Sequence, residues 1–198
     1  RELCPKYTFY KDVLQMTART DDGWRLGSRF GYPGIQHGHN DVGNVILFVD
    51  NNPILIDAGV ATYTADTFGP NRFKIWSMRS DWHNCPSPNS VLQHNGWDYG
   101  DKDCTFSEKD GKMVFRSNIA NCYEKDSKCE SYIREIELSD TKDCYLEIRD
   151  TYSLQQRTAP DREYFVTPGK VSKLSDTSLL IQSADTQIVL EWSNNLSV

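Results

Sequence analysis

The chain contains the stretch Val45-Ile46-Leu47-Phe48-Val49-Asp50-Asn51-Asn52-Pro53-Ile54-Leu55-Ile56. Two short apolar runs, at 45–49 and 53–56, are separated by three polar residues that favour turns. Apolar runs of this length on either side of a turn signal are typical of neighbouring strands. The stretch therefore predicts two strands joined by a turn.

The same pattern continues along the chain and predicts an all-β protein. Segments of strand length alternate or run apolar, and clusters rich in Asp, Ser, Lys and Gly separate them. Residues 7–18 are long enough for a helix, but they begin with the strand-forming run Tyr-Thr-Phe-Tyr, so we predict a strand. Many short strands at regular spacing indicate an antiparallel sandwich or barrel. The later predicted strands are residues 112–116, 131–138, 144–152, 178–182 and 186–192.

The length of 198 residues suits one large β domain or two small ones. No internal repeat or linker interrupts the sequence, so we predict a single domain over residues 1–198, with a loop at 155–161 as a possible seam. Because the chain begins at Arg1 and shows no signal peptide, we expect it to be processed or to begin inside a longer protein.

Charge and cysteine content narrow the possible partners. The net charge of −6 argues against nucleic acid, because neutralising phosphates needs a basic face. No apolar run approaches the length of a membrane span. The six cysteines show no Cys-x-x-Cys spacing, which disfavours a thiolate zinc cluster. Cys122 and Cys129 could meet across a hairpin, and the residues alone leave open both a disulfide and free thiols that pack as small hydrophobes.

The histidines form the most informative pattern, because all four lie between positions 37 and 94. His37 and His39 are separated by one glycine, and in a strand or extended loop two such side chains point the same way. Asp57 follows the second apolar run, and His83 comes later in Asp81-Trp82-His83-Asn84. His39, Asp57 and His83 make a set of two nitrogens and one oxygen that suits zinc and leaves a position for water.

Other interpretations of this pattern remain open at the level of residues alone. A histidine in a sandwich is usually a hydrogen-bonded core or surface group. Cupin-type metalloenzymes also begin with His-x-His, although they normally supply a Glu where this chain has Asp41 and Gly43, and their second motif is absent here. A zinc hydrolase of the His-Glu-x-x-His type is excluded, because the sequence has no such motif.

Three ordered segments resemble the heparinase II/III family of polysaccharide lyases. Residues 36–44 (Gln-His-Gly-His-Asn-Asp-Val-Gly-Asn) resemble its His-x-His-Asn-Asp-x-Gly segment. Residues 54–63 resemble its next segment, an apolar strand followed by Asp-x-Gly and a tyrosine, and residues 72–84 resemble a third that ends in His-Asn. Order and spacing agree over roughly positions 20–100, whereas the downstream half matches only in general β character.

The resemblance implies a large antiparallel β-sandwich, of the kind that forms the C-terminal domain of these lyases. It implies that His39, Asp57 and His83 are ligands of Zn²⁺ and that His37 is a catalytic histidine facing the substrate. Tyr63, Arg72 and Asn84 lie in the matched segments, so we expect them to line the substrate cleft. Trp24, Trp76, Trp82 and Trp97 could stack on sugar rings, and we expect at most one or two of them to do so.

The resemblance also implies what this chain does not contain. The family joins an α/α-toroid domain to the β-sandwich and cleaves polysaccharides that contain uronic acid, such as glycosaminoglycans, by β-elimination. The groups that neutralise the uronate carboxylate and a catalytic tyrosine come from the helical domain, so we expect the isolated chain to be inactive or nearly so. An acidic polysaccharide is the expected substrate, and the expected location is periplasmic or secreted. Two alternatives to a lyase domain remain. One is a non-catalytic carbohydrate-binding or structural sandwich, and the other is a cupin-like metalloenzyme.

Overall fold

The computed structural model describes residues 4–35, 37–60 and 62–193, so Gln36 and Ala61 of the matched segments lie outside it. The described residues form an antiparallel β-sandwich with short 3₁₀ helices and no long helix. None of these helices is both long and apolar enough to cross a membrane. The strands are β1 (Tyr7–Tyr10), β2 (Gln15–Arg19), β3 (Trp24–Arg29), β4 (Asn44–Val49), β5 (Asn52–Leu55), β6 (Pro86–Ser87), β7 (Lys102–Lys109), β8 (Lys112–Asn118), β9 (Cys129–Ser139), β10 (Tyr145–Leu154), β11 (Arg162–Glu163), β12 (Lys170–Ser175), β13 (Ser178–Ser183) and β14 (Thr186–Glu191). The 3₁₀ helices are Ala65–Phe68, Arg72–Lys74, Trp76–Met78, Ser80–Trp82, Pro88–Ser90, Ala120–Cys122 and Lys125–Ser127.

The first sheet is an antiparallel meander in the order β1-β2-β3-β4-β5. The predicted pair of apolar strands is confirmed as β4 and β5, with Val49 opposite Asn52. Asp50 and Asn51 between them have φ values of 50° and 65°. Asn and Asp tolerate this left-handed conformation, which two-residue hairpin turns require, and this is why the polar residues join the strands here.

The second sheet has the order β10-β9-β8-β7 and faces the first across the main core. Apolar side chains on alternate positions of β2 and β3 meet those of β8 and β9, as the two-residue period of a strand requires. Phe30 and Phe115 illustrate the contact, since both are fully buried and their ring centroids lie 4.6 Å apart in an edge-to-face arrangement.

Two smaller sheets complete the described structure. The three-stranded sheet β12-β13-β14 packs Ile181 against Leu47, Val49, Ile54 and Leu55 of the β4–β5 hairpin. The two-residue strands β6 and β11 pair with each other, and β6 follows His83 and Asn84 directly. This short pairing therefore joins the neighbourhood of the candidate metal ligands to the later half of the chain.

Some sequence-based expectations need correction. Residues 7–18 are extended as predicted, but they form two strands, because the chain turns between β1 and β2 and Leu14 takes a positive φ of 51°. The loop predicted at 155–161 is confirmed, since no strand covers it. All six cysteines are free thiols, including Cys122, which is fully buried, and Cys129. The alternative of thiols that pack as small hydrophobes is therefore the one that the structure supports for Cys122.

Candidate metal centre

His39, Asp57 and His83 converge from three separate segments. His39 lies in the connection between β3 and β4, Asp57 directly follows β5, and His83 directly follows the 3₁₀ helix Ser80–Trp82. One ligand atom from each residue lies within 4.8 Å of the other two. A tetrahedral zinc ion with bonds near 2.1 Å holds its ligand atoms roughly 3.4 Å apart, so small side-chain movements would bring this set to bonding distance. The two-nitrogen, one-oxygen donor set therefore fits a zinc ion.

Asp57 is the best-anchored member of the cluster. Its Oδ2 accepts a hydrogen bond from Asn44 Nδ2 at 2.8 Å and lies 2.9 Å from His83 Nδ1, and its Oδ1 accepts one from the Gly59 N–H at 2.7 Å. Burial raises the pKa of Asp57, but the hydrogen bonds and the charge of His83 outweigh burial and hold the pKa below its ordinary value. The carboxylate is thus ionised and oriented before any cation arrives.

The two histidines are perturbed in opposite directions. Burial lowers the pKa of His39 to about 4, so its ring is neutral at physiological pH and has a free lone pair for a cation. Burial also opposes protonation of His83, but the hydrogen bond with Asp57 outweighs it and raises the pKa. His83 is fully buried, and its Nε2 has no hydrogen-bond partner of normal geometry among the described residues. The nearby Ser77 backbone also raises the pKa of His83.

His37 does not point the same way as His39, contrary to the expectation from their spacing. The ring of His37 is exposed and meets Phe68 edge to face at 5.9 Å, whereas His39 is only 9% exposed and meets His83 at 5.2 Å. The alternation fails because His37 has a left-handed φ of 61°, which is not strand geometry. His37 therefore faces a separate open cleft of about 520 Å³.

The cleft contains one of the predicted substrate contacts and lies beside another. Arg72 lines it, and its guanidinium donates to the carbonyls of Gly38 at 2.9 Å and of Thr67 at 2.7 Å. Arg72 therefore holds the backbone between the two histidines. Tyr63 is 55% exposed and stacks on Phe68 at 5.4 Å, next to the cleft lining.

Gly38 allows its neighbouring backbone to pack closely against it. A β-carbon at this position would lie 2.7 Å from the Pro33 carbonyl oxygen and 2.9 Å from that of Ile35. Real side chains do not tolerate such distances to backbone atoms, so the segment can close in this way only around glycine.

Asn84 does not reach the cleft, so the expectation that it binds substrate needs correction. Its side chain is fully buried, and its Nδ2 donates to the carbonyls of Val45 and Ile56 at 2.6 and 3.0 Å. Its Oδ1 accepts the Val166 N–H at 2.7 Å. The amide ties β4 and the residue after β5 to the later half of the chain, which makes Asn84 a structural neighbour of the candidate metal ligands.

The cleft includes aromatic residues that the sequence did not single out clearly. Phe68 is 68% exposed and Trp97 is 70% exposed, and both line the cleft beside His37. The sequence marks Trp97 as one of four tryptophans that could stack on sugar rings, and it gives no such indication for Phe68. No pattern separates them from core aromatics, because their exposure results from loops between strands. Trp76 and Trp82 pack against each other at 4.6 Å instead.

Comparisons with known proteins agree with this architecture. The family model described as heparinase II/III-like, C-terminal, matches residues 12–190. Since the match spans most of the chain, the protein belongs to the heparinase II/III-like family through this C-terminal region. No curated protein sequence matches the chain.

Solved structures share the fold at low sequence identity. A mutant of heparan sulfate lyase HepC from Pedobacter heparinus superposes with a TM-score of 0.73 and 14% identity, covering 93% of this chain. Two structures of a heparinase III superpose with TM-scores of 0.60 and 0.61, each at 14% identity and over 86% of this chain. The chain spans only 28% of the first protein and 27% of the heparinase III, so it corresponds to part of each.

Proposed function

We propose that this chain is the zinc-binding β-sandwich of a polysaccharide lyase that cleaves a polymer containing uronic acid by β-elimination. The observation that carries the proposal is that His39, Asp57 and His83 converge. His37, two residues before His39, is exposed in the adjacent cleft. The family supplies the lyase class, and the cleft supplies room for a sugar ring. A helical domain elsewhere in the enzyme and a periplasmic or secreted location are parts of the same proposal.

The chemistry assigned to this chain is proton transfer and positioning. β-Elimination removes the C5 proton beside the uronate carboxylate and breaks the bond between C4 and the leaving oxygen. The imidazole of His37 can accept that proton, and once it holds a proton it can return one to the leaving oxygen. The charge that develops on the carboxylate needs hydrogen-bond donors or cations, and we assign that task to groups outside this chain.

The metal would act at a distance from the reacting atoms. When bound, zinc supplies a fixed anchor for the segment that contains His39. Arg72 holds the same segment at the Gly38 carbonyl, so the metal ligand and the guanidinium together aim the intervening backbone and His37. Each of these residues then positions the proton-transfer group without touching the substrate's C5.

The second candidate function is a carbohydrate-binding sandwich whose metal only fastens loops. The exposed rings of Phe68 and Trp97 favour it, since aromatic surfaces of this size in a cleft suit stacking on sugar rings. We do not propose a cupin-like metalloenzyme, because the family match covers residues 12–190.

Metal analysis of the purified chain tests the zinc assignment. We expect about one zinc ion per chain. Asp57→Asn and His39→Ala should lower zinc affinity by at least about 100-fold, because loss of a ligand weakens metal binding more than loss of a group that orients the ligand. His37→Ala and His94→Ala are the matched controls, since neither belongs to the cluster, and both should retain zinc. Equal zinc content in all five proteins would refute the assignment.

Ultraviolet detection of unsaturated uronate separates the lyase from the binding module. We expect the 198-residue chain alone to give little or no product, and the enzyme that also contains the helical domain to give product that His37→Ala abolishes. Robust elimination by this chain alone would show that the remainder of the active site has been misplaced.

A further inference from the structure

Asn44, the first residue of β4, is buried among the three segments that supply the candidate metal ligands. Its backbone N–H donates to the Asp41 carbonyl at 3.0 Å, so it holds the end of the connection that contains His39. Its side chain reaches the two other segments, one at Asp57 and one directly after His83. Asn44 therefore has a hydrogen bond to each of the three segments.

The side-chain amide uses its donor and its acceptor on different segments. Nδ2 of Asn44 donates to Asp57 Oδ2 at 2.8 Å, and this same oxygen lies 2.9 Å from His83 Nδ1. Oδ1 of Asn44 accepts the N–H of Asn84, the residue that follows His83, at 2.9 Å. One amide thus holds both the oxygen that faces His83 and the backbone to which His83 is attached.

The orientation of the Asp57 carboxylate depends on this amide. The torsion that rotates an aspartate carboxylate has broad energy wells, so the side chain alone does not fix which oxygen faces a neighbour. Asn44 bonds Oδ2 and the Gly59 N–H bonds Oδ1, at 2.8 and 2.7 Å. Together the two donors fix the plane of the carboxylate and keep Oδ2 beside His83.

The two bonds also explain why position 44 is an asparagine. Aspartate has the same shape but no donor for Asp57, and it would bring two carboxylates to hydrogen-bond distance of each other. Leucine has a similar size but neither a donor nor an acceptor. The position therefore requires a group that donates to a carboxylate and accepts from a backbone N–H at the same time.

We infer that Asn44 is a positioning residue of the metal centre, which orients Asp57 Oδ2 toward the ion without binding the ion itself. The inference rests on the proposed zinc site and extends it beyond the three ligands. Groups that bond a metal-binding carboxylate from outside commonly have this effect, and their loss lowers metal affinity. Asn44 acts through Asp57, so its effect on zinc requires the Asp57 carboxylate.

A double-mutant cycle of zinc affinity tests the inference. The variants are Asn44→Ala, Asp57→Ala and the two combined, and competition with a chromophoric chelator measures their affinities. The matched control is Asn89→Ala. Asn89 is as buried as Asn44, and its amide bonds four backbone groups, none of which belongs to a segment that supplies a ligand. Circular dichroism verifies that each variant is folded.

We expect Asn44→Ala to lower zinc affinity by about 10- to 100-fold, as is typical when a group that orients a ligand is lost. Asn89→Ala should leave zinc affinity unchanged, although it also removes buried hydrogen bonds. In the Asp57→Ala background, Asn44→Ala should cause no further loss, because the oxygen that it orients is absent. Such non-additivity indicates that the two residues act as one unit, which a general loss of stability would not produce.

A measurement on the unaltered chain covers the case in which Asn44→Ala does not fold. In NMR spectra of isotope-labelled protein, the side-chain amide resonances of Asn44 should shift when zinc is added. Those of Asn89 should stay in place, since Asn89 bonds no residue of the metal centre. Asn44 resonances that do not respond to bound zinc would overturn the positioning role.

The remaining outcomes separate the positioning role from the zinc site itself. Unchanged affinity in folded Asn44→Ala, an equal loss in Asn89→Ala, or a full loss that persists in the Asp57→Ala background would overturn the role of Asn44 alone. An unaltered chain that binds no zinc would refute the proposed metal centre together with this inference.

Discussion

Asn84 shows how a residue in a functional motif can have a structural task. Its amide bonds three backbone groups from different segments, and none of its polar atoms faces the cleft. We expect Asn84→Ala to lower the free energy of unfolding by about 3 kcal/mol or more, because the buried backbone groups lose their partners. Urea denaturation of the metal-free chain measures this change.

The control for this prediction is Asn121→Ala. Asn121 is exposed and its amide donates one hydrogen bond, to the Asp98 carbonyl at 2.9 Å. Its replacement should change stability by less than about 1 kcal/mol. If both variants lose the same stability, the buried amide network does not have the role described.

At the level of single residues, the sequence predicted which side chains converge but not how their neighbours point. Residue type and order left several interpretations of His39, Asp57 and His83 open, and the resemblance selected them as one set, which the structure brings together. The outward turn of His37 depends on one left-handed φ, which a histidine rarely adopts and which no residue pattern indicates. The burial of Asn84 was equally hidden, since asparagine in a loop is usually exposed.

At the level of elements, strands with a buried face were predictable and exposed strands were not. The β4–β5 hairpin combines apolar runs with a turn signal, and both features are local. In contrast, β12 is exposed along its whole length and most of β7 is exposed, so neither shows apolar alternation. Such strands form because a neighbouring strand offers hydrogen bonds, and that pairing is not encoded within the segment.

Three strands share a buried charge cluster that makes stability depend on pH. Arg134 of β9 is fully buried and lies 2.6 Å from Glu163 of β11 and 3.6 Å from Asp150 of β10. Burial raises the pKa of Glu163 to about 7, the attraction of Arg134 opposes the rise, and repulsion from Asp150 adds to it. One guanidinium thus faces two carboxyl groups, and one carboxyl keeps its proton at moderately acidic pH.

The sign of the pH effect follows from this raised pKa. Between about pH 4.5 and pH 7 the folded state binds more protons at Glu163 than the unfolded state, so the contribution of Glu163 to stability falls as pH rises through this window. The lowered pKa of His39 acts in the opposite direction. We expect the fall to be about 1 kcal/mol or more, since one pKa unit corresponds to about 1.4 kcal/mol and the side chain is partly exposed. Urea denaturation of the unaltered chain and of Glu163→Gln at pH 5 and at pH 7.5 measures it as the difference between the two proteins.

Glu163→Gln should flatten this pH dependence, because glutamine does not titrate and leaves one carboxylate for Arg134. Glu130→Gln, an exposed acid on the same strand as Arg134, should retain the slope of the unaltered chain. A Glu163→Gln variant with an undiminished slope would assign the pH dependence to other groups.

At the level of the whole molecule, a zinc ion that binds only the folded chain should stabilise it. At free zinc near 100 times the dissociation constant, the expected gain is about 2.7 kcal/mol, which thermal unfolding detects as a higher Tm. Asp57→Asn should show little or no gain over the same zinc range, because it lacks a ligand. A gain of equal size in this variant would place the stabilising ion elsewhere on the chain.

The overall fold class was predictable, whereas the cleft beside His37 was not. Strand spacing indicated a sandwich or barrel, and the resemblance selected the sandwich, which the structure has. Net charge, by contrast, averages over the surface. A value of −6 therefore does not show that Lys74 and Arg79 line a second cleft next to the one that contains His37. Only the arrangement of loops reveals that these cations gather beside the aromatic cleft.

Gly38 has a consequence for how this segment can change during evolution. Any side chain at position 38 would collide with the carbonyls of Pro33 and Ile35. No other amino acid can therefore replace Gly38 without a change in the loop. A lineage can therefore lose either histidine by a single replacement, whereas replacement of Gly38 requires Pro33 and Ile35 to move as well. The glycine spacer is for this reason expected to persist even in descendants that have lost one of the two histidines.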